Sequence, residues 1–194
     1  MGTNHTLRSE GFQKQLAFGQ LAETDIAKWI MRRGGTVLPI YDIEYDTGKG
    51  PRVFSKLRTF VAPDMLVFKA GRMCWIEAKH KSVFAWYRLR QIWTTGIDLH
   101  HYSQYHEVQE LLGIPVWLLF LHRSSTPSAI DRKHESCPAT CPTGLFGGNL
   151  EFLSRNEDHR SDRHGSSGMV YWAHATLTKM ASVGDMMSHE RPRP

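Results

Sequence analysis

Two carboxyl groups and one amine, on Asp64, Glu77 and Lys79, stand at the ends of two apolar runs, Met65–Phe68 and Met73–Ile76. If a turn brought them together, the two acids would repel each other and lose hydration unless a cation sat between them. Mg²⁺ suits such a pair. It takes oxygen ligands at about 2.0–2.1 Å, uses one or two carboxylates, and keeps the rest of its shell for water and phosphate oxygens. The bound ion lowers the pKa of a coordinated water and draws charge from a phosphoryl oxygen. A lysine beside it can orient that water and stabilise charge on the reacting phosphate. These are the parts that hydrolysis of a phosphodiester needs.

The chain supplies the turn. Val61–Lys69 and Arg72–His80 are two strand-like runs around Ala70-Gly71. A two-residue loop pairs Lys69 with Arg72, and by the same count sets Asp64 opposite Glu77, with Cβ atoms about 5 Å apart. Strand alternation then puts Lys79 on the face of Glu77. A three-residue loop would turn one carboxylate away unless a bulge restored it, so the reading depends on register. A solvated, salt-bridged strand face uses the same residue types. Here the flanks Met65-Leu66-Val67-Phe68 and Met73-Cys74-Trp75-Ile76 are apolar, which places the trio in a core, where buried charge needs a reason.

The elements that must position these groups follow from periodicity. Gln13–Arg33 has helical spacing: Phe18, Ala22, Ile26, Trp29 and Ile30 share one face, and Gly34-Gly35 ends it. Glu23 lies at the edge of that face, where it could look toward the sheet or serve as an ordinary boundary glutamate. Thr36–Tyr45 reads as a strand, near an edge or bent because of Pro39. Thr47–Pro51 is a turn cluster. After the hairpin, helices are expected over Val83 to about Trp93 and over Leu99–Leu112, with Asp98 as an N-terminal signal and Gly113 as the stop. Pro115–His122 has the continuous apolar pattern of a strand buried on both faces. Arg123–Gly148 reads as a long loop, Gly144–Ser154 as a place for a short turn or strand, Arg155–His164 as a solvated charged loop. Gly168–Trp172 is expected as a short strand and Ala175–Val183 as a short helix. The expected organisation is a flexible N-terminus (1–12), a core (13–122), a loop-rich extension of the same domain (123–187) and a tail (188–194). The fold class is α/β, with a mixed sheet flanked by helices.

Composition bounds the function. The 194 residues are 41% hydrophobic and 22% charged, an ordinary globular balance that excludes a wholly disordered or collagen-like chain. The net charge of +5 leans toward polyanionic partners. Three cysteines make no disulfide framework, so a reducing, cytoplasmic setting is expected. The longest wholly apolar stretch, Val116–Leu121, is far short of the roughly 20 residues of a membrane helix, and no secretory signal is visible. Cys137 and Cys141, with His134, His159 and His164, have tolerable spacing for zinc, against the simpler reading of free thiols in a loop.

The pattern Pro63-Asp64 … Glu77-Ala78-Lys79 resembles the PD-(D/E)XK nuclease superfamily, with its restriction-endonuclease-like fold. A preceding helix bearing Leu21-Ala22-Glu23 is similar to that of its Holliday-junction-resolvase and phage-nuclease branches. Lys49-Gly50-Pro51-Arg52, Trp75–Lys81, Trp86-Tyr87-Arg88, Thr95–Asp98, His100-His101-Tyr102 and Pro115–Leu119 extend the likeness to phage or prophage members over about Phe18–His122. The resemblance implies a Mg²⁺- or Mn²⁺-dependent endonuclease that acts on DNA, in a bacterial host cell if phage-encoded. Asp64, Glu77 and the carbonyl of Ala78 would hold the metal, Lys79 would position the attacking water, and Glu23 would complete the shell directly or through water. Lys49, Arg52, Lys81, Arg88 and Gln91 are candidate DNA contacts, Gln91 on the helix after the motif, with Trp86, Tyr87 and Trp93 interleaved for stacking. A homodimer would suit cutting of both strands. Two other readings stay open: a DNA-binding module of this fold that is inert or needs a partner, and a hairpin whose trio is only a salt bridge.

Overall fold

The computed structural model describes residues 21–40, 52–56 and 59–187. The N-terminal dozen residues, Phe18, the continuation of the first strand beyond residue 40, Lys49 with its turn cluster, and the tail lie outside them.

Helix α1 covers 21–32. Ala22, Ile26 and Ile30 recur at helical spacing and are buried. Fully burying each isoleucine contributes about 1.5–3 kcal/mol, which holds the helix on the sheet. Gly34, at φ 78°, takes the left-handed conformation that stops it. Strand β1 (Thr36–Pro39) follows, at the sheet edge, where Pro39 costs no ladder bond. Strands β2 (Arg52–Phe54) and β3 (Thr59–Val61) form a separate pair.

The hairpin of β4 (Met65–Lys69) and β5 (Arg72–Lys81) has the expected register, with Lys69 opposite Arg72 and Met65 opposite Ile76. Its turn residues Ala70 and Gly71 both have positive φ, 49° and 73°, the signature of the two-residue loop whose twist matches paired strands. The parallel neighbour of β5 is β8 (Val116–His122), whose alternate residues enter cores on both faces of the sheet. Antiparallel β9 (Gly144–Asn149) and β12 (Thr178–Ala181) complete six strands in the order β1-β4-β5-β8-β9-β12. The class is α/β, with a mixed central sheet flanked by helices.

On one face lie α1 and the cluster of Met65, Val67, Ile76, Ala78, Leu119 and Leu121. On the other lies α2 (Leu99–Leu112), capped by Asp98, whose side chain accepts from the His100 N–H, and ended by Gly113 at φ 64°. It buries Tyr102, Tyr105 and Val108. A second sheet covers the same side: β10 (His159–Ser161), β11 (Met169–Ala173), β7 (Ile92–Asp98) and β6 (Ala85–Tyr87), in that order.

Two expected helices are corrected. Residues 83–93 form the β6–β7 hairpin, with Trp86 opposite Trp93 and Tyr87 opposite Ile92. Cross-strand aromatic and β-branched pairs outweigh a helical spacing that has no cap of its own. Gln91 therefore sits in a turn, at φ 51°, rather than on a helix. Residues 178–181 are strand β12 on the edge of the main sheet, between a single 3₁₀ turn at His174–Thr176 and the short helix α4 at Val183–Met187. Segment 123–187 is also richer in strands than a loop-rich extension with one short strand. It carries β9 to β12 and α3 (Leu150–Arg155).

Candidate functional site

Strand β4 begins at Met65, so beyond Ile76 the edge of β5 that faced it is open. Asp64 turns into this opening. Its Oδ2 accepts a 2.7 Å hydrogen bond from the Ala78 backbone N–H, while its own carbonyl accepts from Ile40 and ties the segment to the end of β1. A strand residue sends its N–H and C=O to the same edge. The Ala78 carbonyl therefore faces the same opening as the Asp64 carboxylate.

Strand alternation sets Ile76 and Ala78 in the core beneath α1, and sends Glu77 and Lys79 to the side of α2. Glu77 is buried, 1% exposed, and is ion-paired with the Lys79 ammonium. Its second oxygen, Oε2, is buried with no hydrogen-bond partner. A carboxylate oxygen in that position forfeits its hydration unless a cation or a donor reaches it.

The electrostatics tie four side chains into one group. Burial pushes the Asp64 carboxyl well above its ordinary pKa, and the charges of Glu77 and Glu23 add to the push; Lys79 and the Ala78 N–H oppose it. Glu23, on α1, is raised by burial and then by Glu77, with Lys79 opposing. Burial works against the Lys79 charge, but Glu77, Asp64 and Glu23 outweigh it and raise the ammonium pKa. The structure thus brings Asp64, Glu77 and Lys79 to one end of the hairpin, and the Glu23 carboxyl on α1 lies within reach of their charges.

Helix α2 adds two groups that the sequence reading did not assign to the site. Tyr105 is buried and hydrogen-bonds Glu77; burial first, then the charges of Glu77 and Asp64, raise its pKa well above normal. His101, one turn earlier, is lowered by burial and by the nearby Lys79 charge. Their helical spacing was visible, but a tyrosine on the buried face of a helix looks like core until its hydroxyl has a partner.

The other candidates lie elsewhere. Lys81 continues the face of Lys79, and burial followed by the Lys79 charge lowers it to about 8. Arg52 opens β2, opposite Val61. Arg88 and Gln91 are exposed in the β6–β7 turn. Cys137 and Cys141 are free thiols; Cys141 is buried, with its Sγ 3.3 Å from the Ser124 carbonyl.

Among the described residues, no group of three or more His, Cys, Asp or Glu side chains is arranged to hold a metal ion. A hard divalent ion needs fewer, since one or two carboxylates with water and a carbonyl suffice. The orphaned Glu77 Oε2, the Asp64 carboxylate and the Ala78 carbonyl edge fit that smaller donor set.

No family model matches this sequence, and no curated protein matches it. Among solved structures, the chain is similar to Hjc of Archaeoglobus fulgidus, a Holliday junction resolvase from an archaeal hyperthermophile. The TM-score is 0.45 and the identity 9%, over 81% of this chain and 90% of that one. No helix among the described residues is long and apolar enough to cross a membrane.

Proposed function

We propose that this chain is a divalent-metal-dependent DNA endonuclease of the PD-(D/E)XK type. The observation that carries the reading is the meeting of Asp64, Glu77 and Lys79 at the open edge of β5, with one Glu77 oxygen buried and unpartnered. Asp64, Glu77 and the Ala78 carbonyl would hold Mg²⁺ or Mn²⁺, with Glu23 as an outer carboxylate. Bound there, the ion supplies an activated water and withdraws charge from the phosphate. Lys79, kept charged by its three acidic neighbours, orients that water and stabilises negative charge on the phosphoryl oxygens. Tyr105 and Lys79 together fix the Glu77 carboxylate. Lys81 and Arg52, with Lys49, Arg88 and Gln91, are proposed contacts to the DNA. An inert DNA-binding module is the second reading, since it would keep the same side chains.

A panel of labelled duplex, branched and single-stranded DNA, incubated with and without Mg²⁺ or Mn²⁺, separates the two. Cleavage that needs the metal and is lost in Lys79→Ala supports the enzyme. Salt-sensitive binding without product supports the module.

A further inference from the structure

The β6–β7 hairpin shapes a groove of about 350 Å³, lined by Trp86, Trp93, Gln91, His174 and Pro138 among others. That volume is in the range of small-molecule sites. Trp86 and Trp93 are cross-strand partners with ring centroids 4.9 Å apart and planes inclined by 62°. The Trp86 Nε1–H is taken by the Ser136 hydroxyl at 3.3 Å, so what this indole has left to offer is its ring surface. His174 has its pKa lowered by burial and then by Lys179, which keeps it a neutral ring with one donor and one acceptor. No lining residue carries a charge.

Gln91 is the unusual member. It stands at φ 51°, a conformation that glycine adopts more easily than any L side chain. The turn thus keeps a carboxamide, two donors and one acceptor, where backbone geometry favours no side chain at all. The hairpin is held in place from outside the groove. Arg90 pairs with the Asp158 carboxylate, and Tyr87 stacks on His159 at 4.0 Å. The cavity is therefore formed before anything enters it.

Aromatic walls, neutral hydrogen-bonding groups and no fixed charge suit a flat, uncharged heterocycle and not a phosphate. We infer that this groove binds an unstacked nucleobase of a DNA strand; the choice of DNA as its source rests on the nuclease reading above. Position agrees. Strand β7 runs from Ile92 at the groove to Asp98, the cap of the helix that carries His101 and Tyr105. Seven strand residues span about 20 Å. At about 3.4 Å per nucleotide along one strand, that is roughly six nucleotides. Arg88, exposed in the same turn, can meet the backbone of the captured nucleotide.

The test needs neither metal nor cleavage. A twelve-nucleotide adenine strand and an abasic strand of equal length carry the same phosphates, and their affinities are compared by fluorescence anisotropy in EDTA. The full-length protein should prefer the base-bearing strand by about tenfold, the scale of one base–aromatic stack. Gln91→Gly should raise the melting temperature, by relieving the turn, and yet reduce that preference several-fold. Trp93→Ala should abolish it; if that variant does not fold, the glycine variant decides alone. Equal affinity of the parent for both strands overturns the inference, as does a preference that survives in the folded variants. A protein that behaves as expected here but cuts no DNA in any metal would keep the groove and lose the nuclease reading.

Discussion

Asp64→Asn separates what the carboxylate costs the fold from what it does for a ligand. Asparagine keeps an oxygen for the Ala78 N–H, at present a 2.7 Å bond, and removes the charge that burial, Glu77 and Glu23 all oppose. In the metal-free protein the variant should therefore be more stable than the parent. Relief at a functional site of this kind is of the order of 1 kcal/mol, or about 2–4 °C in melting temperature for a chain of this size. The gain should depend on pH. The folded parent holds the Asp64 proton to higher pH than the unfolded chain does. Stability from this group is thus complete below the ordinary aspartate pKa of about 4 and is lost as pH rises toward the folded value. Asp64→Asn should flatten that decline. Metal reverses the order. A hundredfold excess of Mg²⁺ over its dissociation constant stabilises a binding protein by about 2.7 kcal/mol, roughly 5–10 °C here, and the variant should lose most of this. Differential scanning fluorimetry from pH 4 to 8, with EDTA or Mg²⁺, reads both effects. A variant that is less stable without metal, or that still gains the parent's full increment with it, would refute the reasoning.

Further outcomes follow from neighbouring residues. Tyr105→Phe removes the hydroxyl on Glu77, and should weaken Mg²⁺ binding by calorimetry about tenfold with little loss of helix by circular dichroism, as one charge-assisted hydrogen bond is worth about 1.5–3 kcal/mol. Ala70→Asn installs a side chain that tolerates the left-handed turn at φ 49° and should raise the melting temperature by about 2–4 °C. His122 is buried against Phe84, and burial followed by the charge of Lys81 lowers its pKa to about 3. Its contribution is therefore present above the ordinary histidine pKa and lost as pH falls from about 6.5 toward 3. Denaturant titrations should show His122→Phe gaining on the parent at pH 4.5 relative to pH 8.

The parts of the fold that the sequence made legible are those where local chemistry and tertiary position agree. Ala70-Gly71 closes a two-residue loop, so the register from Lys69 opposite Arg72 to Met65 opposite Ile76 followed from counting. Asp64 lies just before β4 and meets β5 through the Ala78 N–H, not as a paired strand residue opposite Glu77. Strand β8 was legible because both its faces are core, and α2 because Asp98 and Gly113 cap it. The β6–β7 hairpin was not. Its turn, Arg88-Leu89-Arg90-Gln91, contains no glycine, proline or asparagine, and Gln91 occupies a conformation that its residue type does not announce. Strand β12 was hidden for another reason: four residues acquire strand structure by pairing with the edge of β9, a partner far away in sequence. Within the site, helical spacing left Glu23 open between a place over the sheet and an ordinary boundary position, and only the family resemblance gave it a role. Tyr105 was not assigned one, because only the fold shows that this face of α2 lies over a charged carboxylate and not wholly over apolar side chains.

The most direct test of the account is a crystal soaked in Mn²⁺ and measured at a wavelength where manganese scatters anomalously. A peak is expected within about 2.3 Å of a carboxylate oxygen from both Asp64 and Glu77, beside the Ala78 carbonyl, and it should disappear in Glu77→Gln. No peak at the open edge of β5, or one that persists unchanged in that variant, would contradict it.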